Sequence, residues 1–139
     1  MLKKLPYKLY KQIYSQVPRL CVELVIKNNE GILLTLRNIA PYKDYWHLPG
    51  GTIFLDETLE QAVKRVALEE LGVEVKIIKF LGYIDFIKSK EEKIGRTVSL
   101  VFLVKIIYGN IKLDFQASEY RFFKKIPKNT IKEHKDFLW

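Results

Sequence analysis

The sequence predicts a single α/β domain, residues 1–139, in which a mixed β-sheet is sandwiched between α-helices (α/β/α). Three observations support this prediction. Apolar runs of strand length recur on both sides of one central segment, that segment has helical periodicity, and a shorter helical pattern precedes the C-terminus. Each amphipathic helix has to bury its apolar side against a face of the sheet. Because 48% of the 139 residues are hydrophobic, the chain can bury one core of ordinary size.

The composition narrows the classes of function. The net charge of +8, from 24 basic and 16 acidic residues, indicates either a solvated lysine-rich surface or an attraction for polyanions. No helix-turn-helix, zinc-finger or RRM pattern accompanies the charge, which favours a small phosphate-bearing partner over nucleic acid. No apolar run reaches membrane-spanning length, and the lone Cys21 lies within an apolar run. We therefore expect a cytoplasmic protein with a buried thiol and no membrane partner.

The first element is an amphipathic N-terminal helix at about residues 2–17, which Pro18 ends. Its apolar side chains recur at three- and four-residue spacing, at Leu2, Leu5, Leu9, Ile13 and Val17. The opposite face carries lysines. Docking on the domain or on a partner subunit is commoner for one short helix than binding to a membrane surface.

Two strands follow, at residues 20–26 and 32–37, with turn-forming residues between them. Glu23 interrupts the first strand, and a single acid in a strand most often points to solvent.

Arg37 ends the second strand and precedes a loop, residues 38–46, that is rich in aromatic side chains such as Tyr45 and Trp46. The arginine either packs on a ring for stability or clamps a phosphate while an aromatic ring stacks on a base. The sequence leaves both readings open.

The central segment, residues 50–73, begins with two glycines and continues as a helix of about three to four turns. Thr58 and Gln61 form a capping-box pattern at its start, where side chains satisfy unpaired backbone N–H groups. Gly72 stands where a helix commonly needs a left-handed residue.

Two carboxylates on this helix are unusual. At about 100° per residue, Glu70 falls about 20° from Leu59, inside the apolar stripe, and Glu69 lies at its margin. The helix dipole disfavours acids near a C-terminus, so a cation from elsewhere, such as a divalent metal with oxygen ligands, is one explanation. Solvated acids are the other. Arg65 lies one turn before Glu69, within reach of it.

The remaining pattern is a strand region at residues 73–86 with a bend at Gly82, a charged hairpin loop at 88–95, and an apolar central strand at 97–108. A short strand at 120–123 precedes a last helix at about 130–138. Its start is predicted by a second capping-box pair, Thr130 and Glu133.

The central segment resembles the Nudix box: G, five residues, E, seven residues, R-E, an aliphatic, any residue, E-E, any residue, G, an aliphatic. The matching positions are Gly51, Glu57, Arg65, Ala67, Glu69, Glu70, Gly72 and Val73. Val66 is the one miss, since the family has a Glu there. The resemblance covers roughly residues 20–138 and implies the Nudix fold, a mixed sheet between helices.

Nudix enzymes hydrolyse nucleoside diphosphates linked to another moiety, using Mg²⁺ or Mn²⁺ held by the box acids. In most of them the Glu after the box arginine holds metal or activates water for attack at phosphorus, and Val66 can do neither. One branch, the GDP-mannose mannosyl hydrolases, also has an aliphatic residue there. These enzymes attack the anomeric carbon, and one Mg²⁺ stabilises the departing nucleoside diphosphate.

The chain is similar to that branch beyond Val66. It has an acid in the first strand (Glu23, where the branch has Asp), Arg37 thirteen residues before Gly50, the loop YWHLPGG and the segment DFQASEYRF. By this resemblance the Gly50 carbonyl, Glu70 and Gln116 bind Mg²⁺ or Mn²⁺, while Arg37 and Arg65 contact the diphosphate and the leaving group. Glu69 either restores a metal ligand or orients Arg65.

The same resemblance places Glu23, Arg37, Tyr45 and Trp46 beside the substrate, and it makes the N-terminal helix a candidate homodimer contact. Two departures limit it. The branch has its general-base His after the ligand glutamine, where this chain has Ala117, and an Arg where this chain has Thr52.

His47 and Glu119 are candidate replacements for the missing base, while His134 is expected on the surface of the last helix. Three functions therefore remain open: a nucleotide-sugar hydrolase cutting at carbon, a Nudix pyrophosphohydrolase cutting at phosphorus, and a Nudix-fold module that binds a nucleotide or protein without turnover.

Overall fold

The computed structural model describes residues 4–86 and 96–138. The helices are α1 (Tyr7–Tyr14), α2 (Leu59–Leu71) and α3 (Lys132–Phe137). The strands are β1 (Arg19–Asn28), β2 (Gly31–Arg37), β3 (Trp46–His47), β4 (Gly50–Thr52), β5 (Glu74–Phe86), β6 (Thr97–Tyr108) and β7 (Ala117–Phe123). The hairpin loop predicted at 88–95 lies outside the described residues.

The described strands form one mixed sheet in the order β3-β2-β1-β6-β5, with β4 paired to β1 and β7 to β2. β1 and β6 run parallel, and the other pairs are antiparallel. β1 changes partner along its length, because residues 21–23 pair with β4 whereas residues 27–28 pair with β2. This change puts Glu23 directly opposite Gly50.

A helix covers each face of the sheet, as the predicted α/β/α sandwich requires. On one face, α2 buries an apolar stripe in a core cluster with β1, β5 and β6. On the other face, α3 and its C-cap residue contribute Phe137 and Leu138 around a second cluster that contains Trp46. The fold class is therefore confirmed.

The central helix has the predicted ends. Thr58 accepts the Gln61 N–H at 3.1 Å, and the Gln61 side chain accepts the Thr58 N–H at 2.8 Å, which completes the capping box. At the other end Gly72 has φ +66°, the left-handed conformation that favours glycine.

The last helix differs from its prediction. It begins at Lys132, and its N-cap residue Ile131 makes no side-chain cap hydrogen bond. Residues 129–131 instead pair with Trp46, because the Trp46 N–H donates to the Asn129 carbonyl and the Ile131 N–H to the Trp46 carbonyl, both at 2.9 Å. The predicted capping role of Thr130 is therefore wrong.

Helix α1 is shorter than predicted and, at Tyr7–Tyr14, buries none of its residues. The Tyr10 hydroxyl links it to the domain, since it lies 3.3 Å from Thr52 Oγ1 and accepts a hydrogen bond from the Arg19 guanidinium. Among the described residues, no helix has the length and apolarity needed to span a membrane.

Candidate active site

The loop before α2 is held by Arg65. Its Nε donates to Glu57 Oε2 at 2.9 Å, and its Nη2 donates to Glu57 Oε1 and to the Thr52 carbonyl, both at 2.7 Å. The guanidinium also lies 3.7 Å over the Phe54 ring. The Glu57 side chain is fully buried. Burial alone raises its pKa, but hydrogen bonds from Arg65 and the Phe54 N–H hold that pKa below the usual value.

Arg65 also binds Glu69, with 3.2 Å between Nη1 and Glu69 Oε2. Of the two predicted roles of Glu69, this geometry favours the orientation of Arg65 over the supply of a metal ligand. The Arg65 guanidinium already holds the loop before α2. Its predicted contact with a diphosphate remains a prediction.

Val66 lies in the core at 1% exposure, directly under the glycine loop. A Cβ added at Gly51 would lie 3.2 Å from Val66 Cγ2 and 3.9 Å from Glu70 Oε2. The site therefore has an apolar methyl group where most Nudix boxes have a carboxylate, and Glu70 is the box acid next to the loop.

Glu70 is surrounded by other acids. Burial raises the pKa of Glu70 well above its ordinary value, and the nearby carboxylates of Glu23 and Asp114 raise it further. A hydrogen bond from the Gly50 N–H and the charge of Arg37 act in the opposite direction without cancelling the rise. The sequence prediction that Glu70 faces inward is thus confirmed by its surroundings.

Glu23 does not point to solvent, contrary to the single-residue prediction. It is 8% exposed because β4 pairs alongside it, and its Oε1 accepts a hydrogen bond from Ser99 Oγ at 3.1 Å. Its other oxygen faces the glycine loop, since a Cβ at Gly50 would lie 2.1 Å from Glu23 Oε2. Only glycine fits at position 50.

The loop that carries Gln116 lies beside the end of β2. The Gln116 N–H donates to Asp114 Oδ1 at 3.0 Å, and the Asn38 N–H donates to the Gln116 carbonyl at 2.8 Å. Asp114 was not predicted as a site residue, although an Asp two residues before the predicted ligand Gln116 is a recognisable Asx-turn signal. The structure thus brings Gln116 close to Arg37, its neighbour in the predicted site.

The two aromatic residues predicted at the site, Tyr45 and Trp46, differ in their burial. Trp46 is 8% exposed and packs edge-on against Phe123, whereas Tyr45 is 41% exposed. Arg37 Nε donates to the Pro41 carbonyl at 2.5 Å, which ties the loop back to β2. Tyr45 is therefore accessible at the surface, and Trp46 supports the loop from inside; the predicted contacts of both with a substrate stay predictions.

Both histidines are buried, at 9% for His47 and 3% for His134. The expectation that His134 lies on the surface is wrong, because α3 packs this side chain against the sheet, beside Phe86. Burial, together with repulsion from His134, lowers the pKa of His47 to about 3. Since its ring nitrogens contact Thr35 and the Leu48 carbonyl, His47 is not available as a replacement base.

The other candidate base, Glu119, lies on β7 and accepts a hydrogen bond from Arg121 Nε at 2.6 Å. Ala117, which replaces the general-base His of the related branch, pairs with Arg37 at the start of the same strand. A catalytic role for Glu119 stays a prediction.

The NUDIX domain matches residues 17–131 of this chain. The chain belongs to the Nudix family. Among curated relatives, it is 34% identical over 125 residues to the low-salt glycan biosynthesis protein Agl8 of Haloferax volcanii, covering 87% of this chain and 80% of that protein. It is 33% identical over 130 residues to the ADP-ribose pyrophosphatase of Methanocaldococcus jannaschii, covering 92% and 75%.

Among solved structures, a MutT NUDIX hydrolase from Burkholderia pseudomallei superposes with a TM-score of 0.79 at 26% identity, covering 88% of this chain and 96% of that one. Together with the family match, this makes the chain a Nudix hydrolase in both sequence and fold.

Nudix hydrolases generally need a divalent cation, and the residues at Gly50 fit one. Among residues 4–86 and 96–138, no group of three His, Cys, Asp or Glu side chains lies close enough to hold a metal ion. A carboxylate and a backbone carbonyl, completed by phosphates and water, suit Mg²⁺ without such a group. The raised pKa of Glu70 beside two further carboxylates indicates negative charge that a dication would offset.

Proposed function

We propose that this Nudix hydrolase acts on nucleotide-sugars of the GDP-mannose type and releases the sugar and the nucleoside diphosphate. The buried position of Val66 against Gly51 carries the proposal. With no carboxylate there, α2 offers Glu70 alone to a cation beside Gly50, which suits one ion better than a cluster. The similarity to a glycan biosynthesis protein supports the sugar substrate.

The proposal assigns the cation, Mg²⁺ or Mn²⁺, to the Gly50 carbonyl, Glu70 and Gln116. When bound, such an ion withdraws charge from the diphosphate and so stabilises it as a leaving group. Glu70 would hold the ion as a carboxylate, because a metal ligand has to be deprotonated. The glycine at position 50 lets this backbone lie against β1, since a Cβ there would come within 2.6 Å of the Val22 carbonyl oxygen.

The remaining residues bind and orient the substrate. Arg37, at the end of β2 beside the Gln116 loop, is assigned to the diphosphate, where a guanidinium pairs with two oxygens. The exposed ring of Tyr45 is assigned to the base, with Trp46 behind it in the core. Glu23 is assigned to the sugar through Oε2, because Oε1 is bound by Ser99.

Hydrolysis in H₂¹⁸O tests this proposal directly. A panel of nucleotide-sugars, dinucleotides and nucleoside triphosphates is incubated with Mg²⁺ or Mn²⁺, and the products are analysed by mass spectrometry. Attack at the anomeric carbon puts ¹⁸O on the sugar and none on the nucleoside diphosphate. Label on a phosphate would overturn the assignment of the attack to carbon.

A second candidate is a pyrophosphohydrolase that cuts at phosphorus. The 33% identity to an ADP-ribose pyrophosphatase favours it, as does the presence of Glu69 beside Glu70. In the same experiment it predicts ADP-ribose as the best substrate and ¹⁸O on one of the two phosphates. Absence of label in every product would instead favour a binding module without turnover.

A further inference from the structure

The two histidines of the chain hold the same residue, Leu48, from opposite ends. The Leu48 N–H donates to His134 Nδ1 at 3.0 Å, and the Leu48 carbonyl accepts from His47 Nδ1 at 2.8 Å. Leu48 is itself 1% exposed, so both hydrogen bonds are shielded from water. Buried hydrogen bonds of this kind are costly to lose, because the freed backbone groups find no replacement partner.

These contacts fix opposite tautomers in the two rings. His134 accepts at Nδ1, so its proton is on Nε2, which points toward Glu23 Oε1 at 3.6 Å. His47 donates at Nδ1, so its Nε2 accepts from the Thr35 hydroxyl at 3.2 Å. Among the described residues, His134 Nε2 has no hydrogen-bond partner within normal distance, which leaves Glu23 as its nearest acceptor.

Leu48 is two positions before Gly50, and the backbone between them has little conformational freedom. Pro49 fixes its own φ, and its carbonyl accepts the Leu24 N–H at 2.9 Å. Gly50 then pairs with Glu23 across the strands, and its N–H bonds Glu70. A rotation of the Leu48 peptide groups would therefore be passed on to the Gly50 carbonyl.

We infer that His47 and His134 are positioning residues, a histidine clamp on Leu48 that aims the Gly50 carbonyl. The link to a cation rests on the proposed function, but the clamp itself does not. His134 lies 86 residues after Leu48 in sequence, so the clamp also makes the site depend on α3. Substitution of a residue that orients a metal ligand, without binding the metal itself, typically lowers metal affinity by about 10–100-fold.

Nitrogen-15 NMR of the imidazole rings tests the clamp without substrate or metal. At neutral pH the clamp predicts two neutral rings in opposite tautomers, His134 protonated at Nε2 and His47 at Nδ1. Equal tautomers, or a protonated imidazolium at either position, would overturn it.

Two matched substitutions separate the two contacts of His134. Asparagine places an amide oxygen near Nδ1, whereas glutamine places its amide near Nε2. We expect His134→Asn to keep slow hydrogen exchange at the Leu48 amide and an Mg²⁺ affinity within about threefold of the wild type. We expect His134→Gln to speed that exchange and to weaken Mg²⁺ binding about tenfold or more.

The same pair at His47 provides an internal control, because His47→Asn keeps a donor for the Leu48 carbonyl and His47→Gln does not. Equal effects of Asn and Gln at both positions would show that the histidine side chains only fill space in the core, and would overturn the clamp. If the Asn and Gln variants differ as expected and yet no nucleotide-sugar is hydrolysed, the proposed function fails and the clamp stands. If they differ in Leu48 exchange and bind Mg²⁺ equally, the clamp does not aim a metal ligand.

Discussion

At the residue scale, the surroundings of Glu70 favour a bound cation but make the ionised side chain unfavourable when no cation is present. Its carboxylate lies beside Glu23 and Asp114, which suits a cation and makes the carboxylate costly without one. The sequence could indicate this residue, because an acid within an apolar helical stripe is a local pattern. It could not indicate Ser99 or the burial of His134, which depend on strands that meet only after folding.

We expect Glu70→Gln to abolish metal-dependent hydrolysis without weakening the metal-free fold. The amide has the same shape and carries no charge, so it removes the repulsion from the neighbouring carboxylates. Thermal unfolding in EDTA should show an equal or higher Tm, and added Mg²⁺ should no longer raise it. A variant that keeps full metal-dependent activity would show that our ligand assignment is wrong.

Arg65 should matter mainly to stability. Arg65→Met leaves the fully buried Glu57 carboxylate unpaired, and removal of one partner of a buried pair costs about 3–5 kcal/mol. The double variant Glu57→Gln with Arg65→Met should recover part of that loss. Urea unfolding measures all three proteins.

The matched control for Arg65 is Arg96→Met. Its pair with Asp85 is largely exposed, with 58% of the arginine side chain accessible, and we expect no measurable change in stability. Equal losses from the two arginine substitutions would contradict the role given to Arg65.

At the element scale, prediction succeeded where local sequence decides and failed where distant pairing does. The capping box and Gly72 define α2 from within the chain, and the strand at 97–108 is a nearly all-apolar run. Strands β3 and β4, of two and three residues, exist through pairing with β2 and β1 and carry no periodicity of their own. The sequence pattern indicated a cap at Thr130 because it could not show Trp46, which is distant in sequence and forms backbone hydrogen bonds with the residues on either side of Thr130.

The two threonines with the same pattern should respond differently. Thr58→Ala removes a cap hydrogen bond and should destabilise the protein by about 1 kcal/mol. Thr130→Val removes a buried hydroxyl that has no partner among the described residues, so its effect on stability should be neutral or favourable. Chemical denaturation of both variants checks this, and equal losses would contradict the observed start of α3.

At the scale of the whole molecule, β1 organises the site, because its change of partner from β4 to β2 brings Glu23, Gly50 and α2 together. The order of apolar runs sufficed to predict a sheet between helices, since each amphipathic element needs a face to cover. It did not predict the division into two cores, which depends on Trp46 turning inward. The predicted homodimer contact through α1 remains a prediction.

The burial of His47 should make the stability of the whole fold sensitive to acid. Its pKa is about 3 in the folded protein against an ordinary 6.5, so between these values the unfolded chain binds a proton that the folded protein does not. The contribution of His47 to stability should therefore be retained above pH 6.5 and fall by about 1.4 kcal/mol per pH unit below it, about 2 kcal/mol at pH 5. His47→Asn should lose correspondingly less, and parallel curves from urea unfolding across pH 7 to 5 would contradict this.

Manganese binding, followed by electron paramagnetic resonance, tests the central claim most directly. The claim is that Gly50, Glu70 and Gln116 hold a single dication while Val66 prevents a second. We predict one Mn²⁺ per chain without substrate, lost in both Glu70→Gln and Gln116→Ala. Two ions per chain, or one ion that survives both substitutions, would contradict the account.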